Sequence, residues 1–370
     1  MTIRDPAAEW ESFCEQLKNA GKALFRADRP DDALTDAEGL RHLARLSRIA
    51  LERSLEHVDS QFPTIFQIVD ETRKFGCDNP DTIYQVAKLD GRGSYRLSGT
   101  RGTVDYLSFT TSSGSHAKEG AVTQTGFLDN KALAVGPDGQ FEIILSATQP
   151  ASGNWLAMTQ ATSNLSIRQT FLDRRREVRA DLTITRLGQS AVPAPIDYAG
   201  TVSALGEAHG FVHYCATLFP DWTHSYLGHI NALPSADQEA CLRAGGDPNI
   251  YFYRSVWSLA EDEALVIRIP RLPECESWNL QVDNFWQESM DYRYFRSHIN
   301  KHIAHYEPDG SVIAIIAHRD PGKPNWLDTA HHRIGHFAMR YIRANEHIDP
   351  ETRLCTFDTI DAAIAELSAD

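Results

Sequence analysis

The sequence predicts an α+β chain that is mainly β: two jelly-roll-like antiparallel β-sandwiches built by an internal duplication, with an N-terminal helical segment and a helical linker. Three observations carry this. Short segments rich in β-branched and aromatic residues, separated by Gly, Asp and Pro, fill most of the chain from Thr82 onward. Helical periodicity is confined to the start, the middle and the tail. Two windows 171 residues apart carry the same turn, strand and turn signals.

The lead-in, residues 1–76, reads as two helices packed on the body. Asp5 is an N-cap with Pro6 at the first helical position, and Trp10, Phe13, Cys14, Leu17 and Leu24 then recur at helical spacing. In the second helix Thr35 and Glu38 have capping-box spacing, and Leu40, Leu43, Leu46 and Ile49 form one apolar stripe. The first sandwich, 77–190, takes its strands from TIYQVAKL, SYRLSGTRG, TVDYLSFTT, FEIILSAT and LSIRQTFL. A linker, 191–247, holds the helical stretch DYAGTVSALGEAHGFVHYCATLF and the shorter SADQEACLRAG. The second sandwich, 248–370, uses NIYFYRSVW, EALVIRIP, SWNLQVDNFW, SVIAIIAH and HFAMRYIR, and ends in the helix DTIDAAIAELSAD.

The duplication is visible when PDGQFEIILSATQPASGNWL (137–156) is set above PDGSVIAIIAHRDPGKPNWL (308–327). Pro137, Asp138, Gly139, Pro150, Asn154, Trp155 and Leu156 match Pro308, Asp309, Gly310, Pro321, Asn325, Trp326 and Leu327 without a gap. One inserted residue later, Arg168 meets Arg340. Asp-Gly is a hairpin signal, the apolar run after it is one buried strand, and Pro ends that strand because it cannot donate to a ladder. Asn-Trp-Leu starts the return path with the Trp as a plug, and the Arg fork reaches loop carbonyls. Whatever both copies share is most economically structural, so Asn154, Trp155, Arg168, Asn325, Trp326 and Arg340 are expected to be scaffold. Functional weight then falls on what one copy alone carries.

A hydrophobic share of 42%, a charged share of 23% and a net charge of −14 describe a globular chain and argue against a nucleic-acid face, which needs clustered Lys and Arg. The longest apolar run, Val312 to Ala317, is too short for a bilayer, so no membrane partner is expected. Six scattered cysteines without Cys-x-x-Cys spacing predict reduced thiols in a cytoplasmic protein.

The string HRDPGKPNWLDTAHHRIGHFAMRY, ending at Tyr341, resembles the C-terminal block of the proteins grouped as domain of unknown function 1214. The earlier DNPDTIYQVAKLDGRGSYRLSGTRGTVDY resembles the N-terminal part of that group's long members. Ala330, His331 and His332 stand where the family pattern has Gly before its His. The resemblance implies a mainly β architecture with jelly-roll-like domains. For some relatives it implies a link to breakdown of alkyl sulfates or other xenobiotics.

No nucleophile elbow, P-loop, His-Glu-x-x-His or dinucleotide fingerprint occurs. His318, Asp320 and Asp328 stand where the first copy has Ala147, Gln149 and Ala157. With His332 they supply carboxylate–imidazole pairing, which orients a His and tunes it near neutral pH, so these four are the candidate catalytic residues. Asp78, Asn79, Tyr84 and Arg101 are candidate substrate-binding residues around a turn and an anion-binding fork. Asn279 and Asp283 join them, because alternation in WNLQVDNFW turns one polar face toward a cavity, as do the nearby aromatics Trp286 and Tyr294, which suit an apolar or aryl ligand. His298, His302 and His305 would stack on one face of a helix, at a subunit contact or beside a metal.

The expected function is cofactor-independent acid/base chemistry, of hydrolase or lyase type, on a small, partly hydrophobic or aryl substrate, in catabolism. One alternative is a non-catalytic double sandwich holding a carbohydrate or lipid-like ligand. Others are a metal-assisted hydrolase using the C-terminal histidines and a structural homo-oligomer.

Overall fold

Asp5 accepts from the Ala8 N–H at 3.1 Å and starts α1 (Pro6–Leu24), with Pro6 at the position where a missing N–H costs nothing. In the computed structural model, which describes residues 4–188 and 192–369, the second helix α2 (Ala33–Leu51) begins earlier than its capping-box spacing suggested. Asp32 is its cap, taking the Thr35 N–H at 2.8 Å, and a π-turn (Glu52–Glu56) extends its end. Phe13, Leu24, Leu46 and Ile49 are buried, whereas Trp10 and Leu40 point to solvent, so the two stripes are narrower than expected.

The first copy contains β1 (Phe66–Val69), β2 (Thr82–Lys88), β3 (Tyr95–Thr100), β4 (Tyr106–Ser113), the single turn α3 (His116–Glu119), β5 (Thr123–Asp129), β6 (Gln140–Ser146), β7 (Asn154–Ala157), β8 (Thr162–Thr170) and β9 (Asp181–Arg186). The linker contributes α4 (Tyr198–Tyr226) and α5 (Gln238–Arg243), capped by Asp197 and Asp237. The second copy holds β10 (Ile250–Ser258), β11 (Glu263–Ile269), β12 (Ser277–Val282), β13 (His298–Asn300), β14 (Val312–Ala317), β15 (Trp326–Asp328), β16 (Ile334–Ile342) and β17 (Glu351–Thr356), then α6 (Ile360–Ala369). The expected sandwich–linker boundary at 190–191 lies outside the described residues.

The duplication is reproduced strand for strand. The order β2-β8-β4-β5 in one sheet repeats as β10-β16-β12-β13, and β7-β6-β3-β9 repeats as β15-β14-β11-β17. Ladders are antiparallel except for β6 with β7 and β14 with β15, where short loops (147–153 and 318–325) return the chain in parallel. β1 extends only the first copy, at the β2 edge. Each pair of sheets closes on its own core. Leu97, Phe109, Ile143 and Ile167 lie in the first, and Trp257, Ile267, Leu280 and Phe337 in the second.

The shared Asn-Trp-Leu motif does structural work in both copies. Asn154 brackets the Ala134 N–H and C=O and donates to Glu142 O, and Asn325 does the same with His305 and Ile313. Trp155 and Trp326 donate to Ser146 O and Ala317 O at 3.1 and 3.0 Å. The plug, however, is the next residue: Leu156 and Leu327 are fully buried in the cores, while both indoles are half-buried and Trp326 packs beside α6. The expected helical stacking of His298, His302 and His305 is corrected: His298 opens β13, and the other two follow it in a turn and loop.

The remaining core brings α1, α2 and α4 together with β1 and the outer face of β2. That packing sets α4 across the junction of the two copies and so forms the site.

Candidate functional site

A cavity of about 630 Å³ lies where the two sandwiches meet. Its walls are the outer face of β2, β4 and β8, the ends of β10 and β16, and α4, which contributes Phe211, Tyr214, Phe219 and Trp222. Strand alternation explains the wall: Leu107 and Phe109 of β4 point into the first core, so Thr110 and Ser112 point the other way.

The copies turn equivalent faces to this region. Tyr84 lies opposite Arg168 across β2 and β8, and Phe252 lies opposite Arg340 across β10 and β16. The guanidiniums sit 5.8 and 5.9 Å from those ring centroids. Each arginine then crosses to the segment that precedes the other copy's first duplicated strand, β2 or β10. Arg340 Nη2 donates to Cys77 O at 2.5 Å and to its Sγ at 3.0 Å, and Arg168 Nη2 donates to Gly245 O. Cys77 and Gly245 hold the same place, five residues before β2 and β10, and both are left-handed, at φ 60° and 93°. Gly adopts that conformation freely, whereas a side chain there is strained.

Beyond this shared exchange the faces diverge. Ser108, Thr110, Ser112, Asn164, Ser166 and Val86 of the first copy correspond to Asn279, Gln281, Asp283, His336, Ala338 and Arg254 of the second. One sheet thus carries hydroxyls and the other a buried polar network. Arg340 donates to Gln281 Oε1 at 2.6 Å, and Gln281 donates to Asp283 Oδ1 at 2.6 Å and to Asp78 O at 2.9 Å. His336 Nδ1 lies 2.9 Å from Asp283 Oδ2, which places the proton on Nδ1 and leaves Nε2 as a bare acceptor, buried without a partner. Burial holds the His336 pKa down, against the pull of Asp283, so the ring is neutral.

Two groups on the cavity wall are tuned by the same burial. It pushes the Cys77 thiol up to about 12, with the Asp283 charge adding to it and Arg340 and Arg254 holding it back. It pushes Asp78 up to about 6, although Lys74 and two bonds from Ser289 pull the other way. Ligating atoms of Cys77, Asp283 and His336 lie within 4.8 Å of one another, the spacing of a small-ion site. The donors around them, Arg340 at Sγ and Gln281 at Asp283, are what a thiol and carboxylate need when hydrogen-bonded, and a dication would meet two guanidiniums.

The two repeats coincide with the segments that a single family model matches, residues 80–170 and 258–346, described as Protein of unknown function (DUF1214). The relationship extends beyond those segments. An uncharacterized protein from Burkholderia cenocepacia is 50% identical, with 95% of this chain and 98% of that one covered and a TM-score of 0.93. The chain belongs to the DUF1214 family. The VPA0106 protein from Vibrio parahaemolyticus is 12% identical over 92% of this chain and 100% of its own, with a TM-score of 0.48. No functionally curated protein matches. Among the described residues, no helix of this DUF1214 protein is long and apolar enough to cross a membrane.

The residues singled out from the sequence divide in three. Asp78, Asn79 and Tyr84 line the cavity, as do Arg168 and Arg340, whose expected bonds to loop carbonyls are present. Asn279 and Asp283 stand one layer behind, where Asn279 reaches Asn79 Oδ1 at 3.4 Å. The rest lie elsewhere. Arg101 donates to Val104 O, Trp286 fills the α2 contact with its N–H on Thr35 O, and Tyr294 is 78% exposed.

None of His318, Asp320, Asp328 and His332 lines the cavity. His318 bonds Thr329 at 2.8 Å, Asp320 and Asp328 close turns onto Gly322 and Ala330, and His332 meets Glu38 of α2 at 2.7 Å. Ala330 and His331 are left-handed, at φ 49° and 70°, where the family pattern supplies a Gly. Arg254, Gln281 and the α4 aromatics belong to the site and were not among the candidates, and His336 was one only as a C-terminal histidine of the metal-assisted alternative. A face-by-face comparison of the duplicated strands would have singled out Arg254 against Val86 and His336 against Asn164.

Proposed function

We propose that this DUF1214 protein is a cytoplasmic enzyme performing cofactor-independent acid/base chemistry, of hydrolase or lyase type, on a small, partly hydrophobic or aryl molecule held between the sandwiches. The supporting observation is a cavity of about 630 Å³ with one aromatic wall and, on its lining, a buried thiol beside an oriented Asp–His pair. A thiol pushed up to about 12 is protonated at neutral pH, so it serves as a proton donor to a bound molecule. Asp283 and His336 form the base behind it: the bare Nε2 of the neutral ring takes up a proton, and Asp283 stabilises the imidazolium that results. Six unpaired cysteines support the compartment.

A second reading, a non-catalytic ligand-binding double sandwich, draws on Asp283 and His336 standing behind the cavity wall and not on it. Turnover of a panel of small aryl and alkyl esters, amides and hydroxy acids separates the two. The enzyme reading expects at least one substrate, with Cys77→Ala and His336→Gln each lowering kcat about a hundredfold. Binding without turnover across the panel, or unchanged turnover in both variants, favours the binding module.

A further inference from the structure

We infer that the molecule this cavity takes is an organic anion, with an aryl or alkyl body against α4 and its oxyanion at the Arg254–Arg340 end. The inference rests on the cavity being the ligand site, and it adds the ligand's charge. Among the described residues, five arginines but only two aspartates line the wall, and no lysine or glutamate, in a chain whose net charge is −14. The two aspartates are already engaged. Asp247 accepts from Tyr106, Ser108 and the Asn249 N–H, and Asp78 accepts twice from Ser289.

Two of these arginines, Arg168 and Arg340, have neutral hydrogen-bond partners. Arg168 meets a carbonyl, and Arg340 meets a carbonyl, a thiol and amide oxygens. Arg254 is the sharpest case. It is 6% exposed, its Nε and Nη1 have no partner, and its guanidinium lies 5.1 Å from the Trp222 ring and 5.2 Å from Phe252. The carboxylate of Asp283 is taken by Gln281 and His336. A buried cation with two unmet donors is costly to keep when, among the described residues, it has no contact ion pair and Asp283 acts on it only at longer range; the fold does not demand it, since the first copy has Val86 at the same place. An anion docking there supplies the missing charge, and the rings beside it exclude water from the pair.

A matched pair of probes tests this on the full chain: 1-anilinonaphthalene-8-sulfonate and N-phenyl-1-naphthylamine, the same aryl body with and without a sulfonate. Fluorescence titration is expected to show the sulfonate binding about ten- to a hundredfold more tightly. That advantage should vanish in Arg254→Met, persist in part in Arg254→Lys, and leave the neutral probe's affinity within twofold throughout. Equal or tighter binding of the neutral probe to the unmodified protein overturns the inference but leaves the cavity as an apolar site. A sulfonate preference that survives in folded Arg254→Met also overturns it. If neither probe binds, the cavity reading falls with it. Should Arg254→Met not fold, the ratio in the unmodified protein and in Arg254→Lys decides.

Discussion

Arg340 of the second sandwich holds the carbonyl of Cys77 at 2.5 Å, and Cys77 precedes β2, the first duplicated strand of the other sandwich. Arg168 returns the bond to Gly245, the residue in the same place on the opposite side. The duplicated arginine is therefore both the clasp between the copies and part of the cavity wall. Removing either should be felt unequally. Arg340 is buried and satisfies several acceptors, so Arg340→Met is expected to cost about 2–4 kcal/mol. Arg168 is half-buried with a single bond, and Arg168→Met should cost about 1 kcal/mol. Urea unfolding of the two variants measures the difference.

Cys77 keeps a left-handed backbone where its counterpart is Gly245. A side chain there costs about 1–2 kcal/mol, partly offset by the entropy Gly loses on folding. Cys77→Gly should accordingly be more stable than Cys77→Ala by about 0.5–1 kcal/mol, in thermal or urea denaturation. A Gly variant less stable than the Ala variant would show that Cys77 is not strained.

Asn154 and Asn325 make the same three bonds but differ in burial, Asn325 being 2% exposed. Stranded backbone groups cost most when water cannot reach them, about 1–3 kcal/mol each. Asn325→Ala is expected to lose about 3 kcal/mol, and Asn154→Ala about 1 kcal/mol, by the same measurement.

Glu288 anchors α2 to the second copy through His42 at 3.0 Å and Arg45 at 2.9 Å. Burial alone would raise its pKa, but those two partners outweigh it and hold the carboxyl at about 2, below its ordinary 4.5. A depressed carboxyl stabilises the fold above pH 4.5, and that stability is lost as pH falls toward 2. The full loss is about 3 kcal/mol. Urea midpoints should drop steeply between pH 4.5 and pH 2, and Glu288→Gln should flatten that step.

The repeat was legible because turn residues and Trp survive duplication as letters, and the ten strands named from alternation all exist. β1, β7, β13 and β15, each three or four residues long, were not, since short strands held by their neighbours need little β-propensity of their own, and β5, β9 and β17, which pair along one side only at their sheet edges, were missed as well. The rule that function lies where the copies differ pointed to the right comparison and the wrong place. Applied to the loop at 318–332, it found residues that close turns and clasp α2. Applied to the sheet face, it finds Arg254, Gln281, Asp283 and His336. Which face of a strand meets the other sandwich is set by α4 and by the arginine exchange, and neither is visible in a local window.

The claim that the cavity between the copies is the ligand site is tested most directly by filling it. Ser166 of β8 lines the cavity, whereas Thr185 of β9 is exposed away from it. Binding of N-phenyl-1-naphthylamine should weaken at least fivefold in Ser166→Trp and stay unchanged in Thr185→Trp, with both variants folded by near-UV circular dichroism. Equal affinity in Ser166→Trp and the unmodified protein would place the ligand elsewhere and contradict the claim.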